Sequence, residues 1–177
     1  MSVKRCLVFV VASLLWVCAH AGVKVLDVEV GVSTIEQVRK IASAAGKVQD
    51  AGINSWTKGQ SLLVQQGNYG IEGLQSVQYI FDASGKLACV LMTMGKTRFG
   101  DIFDLLASKY KLVKQARPFV GDQYAQFSVP DAIIEISAPH MGFQMEVSYM
   151  TPVFVKAWQD GVKNQDRQKR SEEKAKL

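Results

Sequence analysis

Beyond its first 21 residues the chain holds one cysteine, Cys89, and one histidine, His140. Nucleophilic catalysis would have to pair these two, or join His140 to a serine and a carboxylate. Cys89 sits in Leu87-Ala88-Cys89-Val90-Leu91, an apolar stretch. That is the setting of an inert core thiol, whereas reactive thiolates are held at helix starts or beside cations. His140 stands in the turn-forming segment Pro139-His140-Met141-Gly142. No Gly-x-Ser-x-Gly elbow occurs, because Ala83-Ser84-Gly85 belongs to a hairpin turn. With so few His and Cys ligands only an all-carboxylate metal site remains, and no Asp-x-Asp-x-Asp loop is present. Glu72, Asp82, Glu135 and Glu146 are the candidates for a carboxylate pair. Glu135 and Glu146 fall on neighbouring expected strands, where they also read as polar residues on the solvent face of a half-buried sheet. The glycines from Gly67 to Gly73 lack the Lys-Ser/Thr of a phosphate loop. No catalytic residue, metal ligand or cofactor is therefore expected.

Binding chemistry is better represented. Trp56 and Tyr69 lie in glycine-bearing loops outside any periodic segment. Tyr124 shares a strand face with Gln126 and Ser128, opposite Ala125, Phe127 and Val129. Amphipathic aromatics at such positions are interface anchors. Trp56, Tyr69, Tyr124 and Gln126 are the expected binding residues. The competing placement has Trp56 or Tyr69 folded back over the core.

The start of the chain reads as an export signal. Lys4 and Arg5 precede an apolar run of 11 residues, Leu7 to Val17, broken only by Ser13, and Ala19-His20-Ala21 follows. The run is short for a membrane-spanning helix, which needs about 20 residues. An uncleaved anchor and a lipidated Cys18 are the alternatives, and the branched Val17 speaks against lipidation. Cleavage after Ala21 places the protein in the periplasm or outside the cell. It leaves one thiol and so no internal disulfide. The basic excess of the 177-residue chain, 21 Lys+Arg against 16 Asp+Glu, then divides into parts. Two charges belong to the signal and three to the tail 163–177, while 22–162 carries 13 of each sign. A neutral body is not a nucleic-acid scaffold. The tail, with its Asp166/Arg170 and Glu172/Lys176 spacings, is a solvated helix able to touch an anionic surface weakly.

These residues need elements to position them. Val23 to Val32 reads as a short strand. Ser33-Thr34-Ile35-Glu36 is a capping box, with Ser33 as the cap, opening a helix with Ile35, Val38, Ile41 and Ala42 on one face. The stretch to Gly59 reads as loop or weak strand, and Ser61 to Gln66 as strand. Gln75 to Asp82 and Leu87 to Met94 form a hairpin around Asp82-Ala83-Ser84-Gly85. A second helix spans Phe99 to Tyr110. Strands follow at about Leu112–Phe119, Gln123–Val129, Ala132–Ala138 and Phe143–Met150. Thr151 caps a third helix with Pro152 at its first position and a stripe of Phe154, Trp158 and Val162. Tyr79, Phe81, Phe103, Phe127, Phe143, Tyr149 and Trp158 are assigned to the core. The fold class is α+β: an antiparallel meandering sheet with helices on one face, plus a C-terminal amphipathic helix. The body 22–162 is expected to be one domain. Its parts 33–94 and 99–150 share an element order, and so read either as two degenerate repeats or as an unrepeated meander.

Gly31-Val32-Ser33 leads into a helix containing Val38, followed by Gly46 and a curled meander. This resembles the repeat of the β-lactamase-inhibitor-protein-like fold, which small outer-membrane-assembly lipoproteins share. The likeness covers Glu29 to Met94 and, in outline, the second half. Gly46 falls later than in the family's pattern, and the lipobox of the lipoproteins is missing. The resemblance implies a small exported binding module that uses the exposed face of its sheet. The functional expectation is a non-enzymatic envelope protein of the inhibitor, immunity or assembly-accessory type, whose partner is another envelope protein or a wall component. The alternative is a cell-wall hydrolase using Cys89 with His140, or a carboxylate pair.

Overall fold

A computed structural model describes residues 22–177, and the expected signal segment lies outside them. Eight antiparallel strands form one sheet: β3 (Val48–Ile53), β4 (Lys58–Gln65), β5 (Leu74–Asp82), β6 (Leu87–Gly95), β7 (Lys111–Ala116), β8 (Gln123–Val129), β9 (Ala132–Ala138) and β10 (Gln144–Met150). A two-stranded ribbon of β1 (Lys24–Val25) and β2 (Val28–Glu29) precedes them. Helix α1 (Ile35–Ala45) leads into β3, α2 (Phe99–Lys109) into β7, and α3 (Pro152–Lys176) follows β10. The strand order is β3-β4-β5-β6-β10-β9-β8-β7. It is a palindrome about the β6–β10 pair, each side being one helix and a four-stranded meander. The fold is α+β.

Alternation builds the core. Val77, Tyr79 and Phe81 of β5 are fully buried on one face, with Leu62 and Val64 of β4, Ile134 and Ile136 of β9, and Met145 and Val147 of β10. Val38 and Ala42 of α1 and Phe99, Phe103 and Leu106 of α2 pack on that same face. Full burial of a side chain of this size contributes roughly 1.5–3 kcal/mol. The opposite face carries a small apolar strip of Ile80, Ala88, Cys89 and Met150, and Phe154 of α3 packs there. Thus α1 and α2 cover one face and α3 part of the other.

Local signals act as expected, with shifts. The Asp82 carboxylate accepts from the N–H groups of Ser84 and Lys86, both at 2.9 Å, and Gly85 takes φ 80°. Thr151 caps α3 by accepting from Phe154 N–H at 3.1 Å, with Pro152 in the first turn. The cap of α1 is Thr34 rather than Ser33. Its box partner is Gln37, which accepts from Thr34 N–H at 2.9 Å. Ser33 is already engaged: its hydroxyl accepts from Glu29 N–H at 2.9 Å, and its carbonyl from Leu87 N–H. Residues 48–53 form an edge strand although they lack alternation, because edge pairing with β4 uses backbone alone, and Gly52 at φ 79° absorbs the bulge. β7 stops at Ala116, before Arg117-Pro118, where the missing proline N–H ends the ladder.

Two core assignments are corrected. Phe143 keeps the parity of Met145, but pairing ends at Gln144↔Gly95, and Phe143 lies beyond it, 93% exposed. Trp158 is 41% exposed, because it lies past the end of the apolar strip that receives Phe154.

Candidate functional site

The sheet face opposite α1 and α2 is mostly polar. Across it the strand register aligns Gln78, Leu91, Ser148, Glu135 and Gln126 in one row. The next row is Ser76, Thr93, Glu146, Ser137 and Tyr124. Helix α3 lies over the neighbouring apolar row and roofs a groove of about 360 Å³. The floor includes Leu91, Ser148, Glu135 and Glu146, and Trp56 and Trp158 form the wall. A second hollow of about 450 Å³, under the first turns of α3, shares Trp56 and Phe154 with it.

Each part has a local cause. Tyr124 and Glu135 meet because β8 and β9 are adjacent. The Tyr124 hydroxyl donates to Glu135 Oε1 at 2.8 Å, and Gln126 Nε2 donates to the same oxygen at 3.2 Å. Burial, and then the Glu135 carboxylate, push the Tyr124 hydroxyl well above the usual tyrosine range, so it stays a donor. Lys114 Nζ stands 5.7 Å from the centre of the Tyr124 ring. Glu146 pairs with Thr93 and Ser137 across the strands, so it stands diagonal to Glu135 rather than opposite it. Among the described residues neither carboxylate has an ion-pair partner within 4.0 Å.

Trp56 is set by its turn. Asn54 Oδ1 accepts from the N–H groups of Trp56 (2.9 Å) and Thr57 (3.0 Å), and Thr57 Oγ1 donates to the Phe81 carbonyl at 2.7 Å. The six-membered ring of the indole abuts α3 at Gly161, where a Cβ would collide with ring atoms Cε3 and Cζ3. Trp56 is half-buried and clamps the roof while lining the groove.

The expected binding residues therefore separate. Trp56 and Tyr124 line the groove, and Gln126 supports it through Glu135. Tyr69 lies elsewhere, packed against the core with its hydroxyl 3.1 Å from that of Tyr79. Burial pushes the Tyr69 hydroxyl up. Trp158, which the sequence assigned to the core, and Ser137 and Ser148, which it did not single out, line the groove. The strand alternation that marked Glu135 and Glu146 marks the two serines equally.

No protein-family model, curated protein or solved structure matches the chain. Its chemistry is read from its own residues.

Cys89 and His140 are not brought together. Cys89 is 2% exposed, and burial, then Glu146 and Glu135, hold its thiol far above the usual range. Cys89 pairs with Met150, while His140 precedes the other end of β10. The length of that strand, about 20 Å at ~3.3 Å per residue, separates them. His140 instead ties two loops: its Nδ1 accepts from Gly121 N–H at 3.2 Å, and its N–H donates to Asp122 at 2.6 Å. Among the described residues no group of three His, Cys, Asp or Glu is placed to hold a metal ion. No helix among them is long and apolar enough to cross a membrane. The groove offers hydroxyls, two carboxylates and indole faces, an arrangement that can hold a ligand rich in hydrogen-bond donors.

Proposed function

We propose that the protein is a small, non-enzymatic binding module of the cell envelope, acting as an inhibitor, immunity factor or assembly accessory. Its ligand, part of another envelope protein or a wall component, occupies the groove between α3 and the open sheet face. The observation that carries this is the convergence of Tyr124, Glu135, Glu146 and Trp158 on one groove, with the buried Cys89 part of its lining. Amphipathic aromatics beside carboxylates suit recognition of amide and amine groups. The export pattern of the first 21 residues supplies the compartment, and the likeness of Gly31-Val32-Ser33 and its helix points to the same class.

The test is capture from an envelope extract, run beside sedimentation with purified cell wall. Tyr124→Ala combined with Glu146→Gln alters the groove and leaves the Trp56 clamp intact. The expected result is a partner retained by the native protein and lost by the double variant. Retention that the double variant does not change refutes the groove, and capture of nothing in either format refutes the binding role.

A further inference from the structure

On the helix-covered face of the sheet, a cavity of about 290 Å³ opens between α2 and the β1–β2 ribbon. Its floor is the central strand pair, Met92 and Met94 of β6 with Val147 and Tyr149 of β10. Leu106 of α2 stands on one side, and Val25 and Leu26 of the ribbon on the other. The volume is close to the lower limit of ligand pockets, roughly 300–1,000 Å³, and suits one slim chain. Methionine thioethers on the floor adapt to the shape of an apolar ligand. The ribbon wall is held under strain: Leu26 takes φ 50°, in the left-handed region that disfavours residues with a β-carbon. Strain of this kind gathers at ligand sites.

The polar groups of the cavity say which ligand it takes. Tyr149 is 7% exposed, and its hydroxyl bonds to no other group among the described residues. A hydroxyl so deep in the fold calls for a partner. Burial, and then Tyr110 beside it, push the Tyr149 hydroxyl well above the usual tyrosine range, so it keeps its proton. Tyr110 lines the same cavity, and the exposed Lys24 and Lys109 mark its mouth. Glu29 faces Lys24 across the ribbon, yet among the described residues neither lysine has an ion-pair partner within 4.0 Å. No acidic residue lines the cavity. All four polar side chains of the lining can donate a hydrogen bond, and two are cationic. Apolar walls with donors and cations at the mouth match an apolar chain that ends in an anionic acceptor.

We propose that this cavity binds a medium-chain fatty acid. The acyl chain lies over Met92 and Met94, and the carboxylate accepts from the Tyr149 hydroxyl and faces Lys24 and Lys109. The cavity is on the opposite face of the sheet from the groove and does not depend on the binding role assigned there.

The experiment is titration of the protein, expressed from the full sequence with isotopically labelled methionine methyls, against decanoate and against decanol, each kept below its micelle or solubility limit. Decanoate is expected to shift the Met92 and Met94 methyl signals in a saturable way. It should bind at least about threefold tighter than decanol, with the difference shrinking as salt rises. Met150, which lines the groove on the other face, and Met141 in the β9–β10 loop should not move. Lys24→Gln with Lys109→Gln is expected to weaken decanoate about threefold or more and to leave decanol unchanged. Tyr149→Phe is expected to weaken decanoate by a similar factor. Its Tm should match the native value, because the hydroxyl has no protein partner to lose. Absence of shifts at Met92 and Met94 overturns the proposal. Shifts at Met150 with Met92 and Met94 unmoved place the ligand in the groove and overturn it too. Equal affinity for decanoate and decanol, unchanged by the lysine variant, refutes the anionic head.

Discussion

Replacing Gly161 by alanine tests how α3 is held over the groove, and two opposing effects set the sign. In an exposed helix interior, Gly→Ala stabilises by about 1 kcal/mol through backbone entropy. Here the added methyl would occupy the space of the Trp56 ring. Asn54 Oδ1 holds the Trp56 backbone in place, so relief requires the ring to leave its rotamer or the helix to shift. Overpacking of that kind costs typically about 1–3 kcal/mol. In the native background Gly161→Ala should therefore be destabilising by about 0–2 kcal/mol. In a Trp56→Ala background the obstacle is gone, and the same substitution should stabilise by up to about 1 kcal/mol. The coupling across the cycle is then about 1–3 kcal/mol. Urea unfolding followed by circular dichroism measures all four proteins. A Gly161→Ala change that stabilises both backgrounds equally would refute the clamp, leaving α3 held by Phe154, Val155 and the Thr151–Ala88 bond at its start.

Three further outcomes follow from the same contacts. Cys89 should resist thiol reagents in native buffer and react once urea unfolds the chain, since it is buried and its thiol is held protonated; fast native labelling contradicts that placement. Asp82→Ala should cost about 1–2 kcal/mol, because the carboxylate organises the β5–β6 turn. Burial alone would raise its pKa, but the bonds from Ser84 and Lys86 hold it below the ordinary 3.8; the native-minus-variant difference should be full above that value and fade as pH falls through the folded one. Tyr124→Phe should cost about 0.5–1.5 kcal/mol by leaving Glu135 with Gln126 as its side-chain donor. The Tyr124 pKa is raised above 10, so this difference should persist up to that pH and decline as pH rises through the folded value.

Strands with strict alternation were legible in the sequence. Val77, Tyr79 and Phe81 announce their buried face, and so do Met145, Val147 and Tyr149. Turn and cap chemistry was legible wherever a side chain had one available partner, as at Asp82 and Thr151. It slipped by one residue at Ser33, whose hydroxyl was taken by Glu29, a contact that depends on the β1–β2 ribbon folding back. Edge strand β3 escaped pattern reading because its pairing places no demand on side chains. Phe143 was misassigned because parity says which face a residue takes and not whether anything covers that face. In the groove, Tyr124 and Glu135 followed from strand faces. The clamp did not: Trp56 and Gly161 are 105 positions apart, and a helix glycine carries no hint of an indole against it.

The palindromic strand order explains why the two ends of the sheet differ. On either side of the β6–β10 pair a helix precedes a four-stranded meander, and α1 and α2 share one face. The β3–β4 and β5–β6 turns point to one end, the β7–β8 and β9–β10 loops to the other. A third helix can cover only one of these loop pairs, and the direction of β10 decides which. β10 starts beside Gly95 and finishes beside Cys89, so α3 emerges at the end of the β3–β4 and β5–β6 turns. There Thr151 N–H bonds the Ala88 carbonyl, Phe154 enters the Ile80–Cys89–Met150 strip, and Gly161 meets Trp56. The opposite loop pair lies where the chain does not return, and there Phe119, Val120, Met141 and Phe143 stand exposed. A groove roofed by the protein's own helix at one end and an uncovered apolar tip at the other both follow from where β10 ends. Reversing that last strand would exchange the two surfaces.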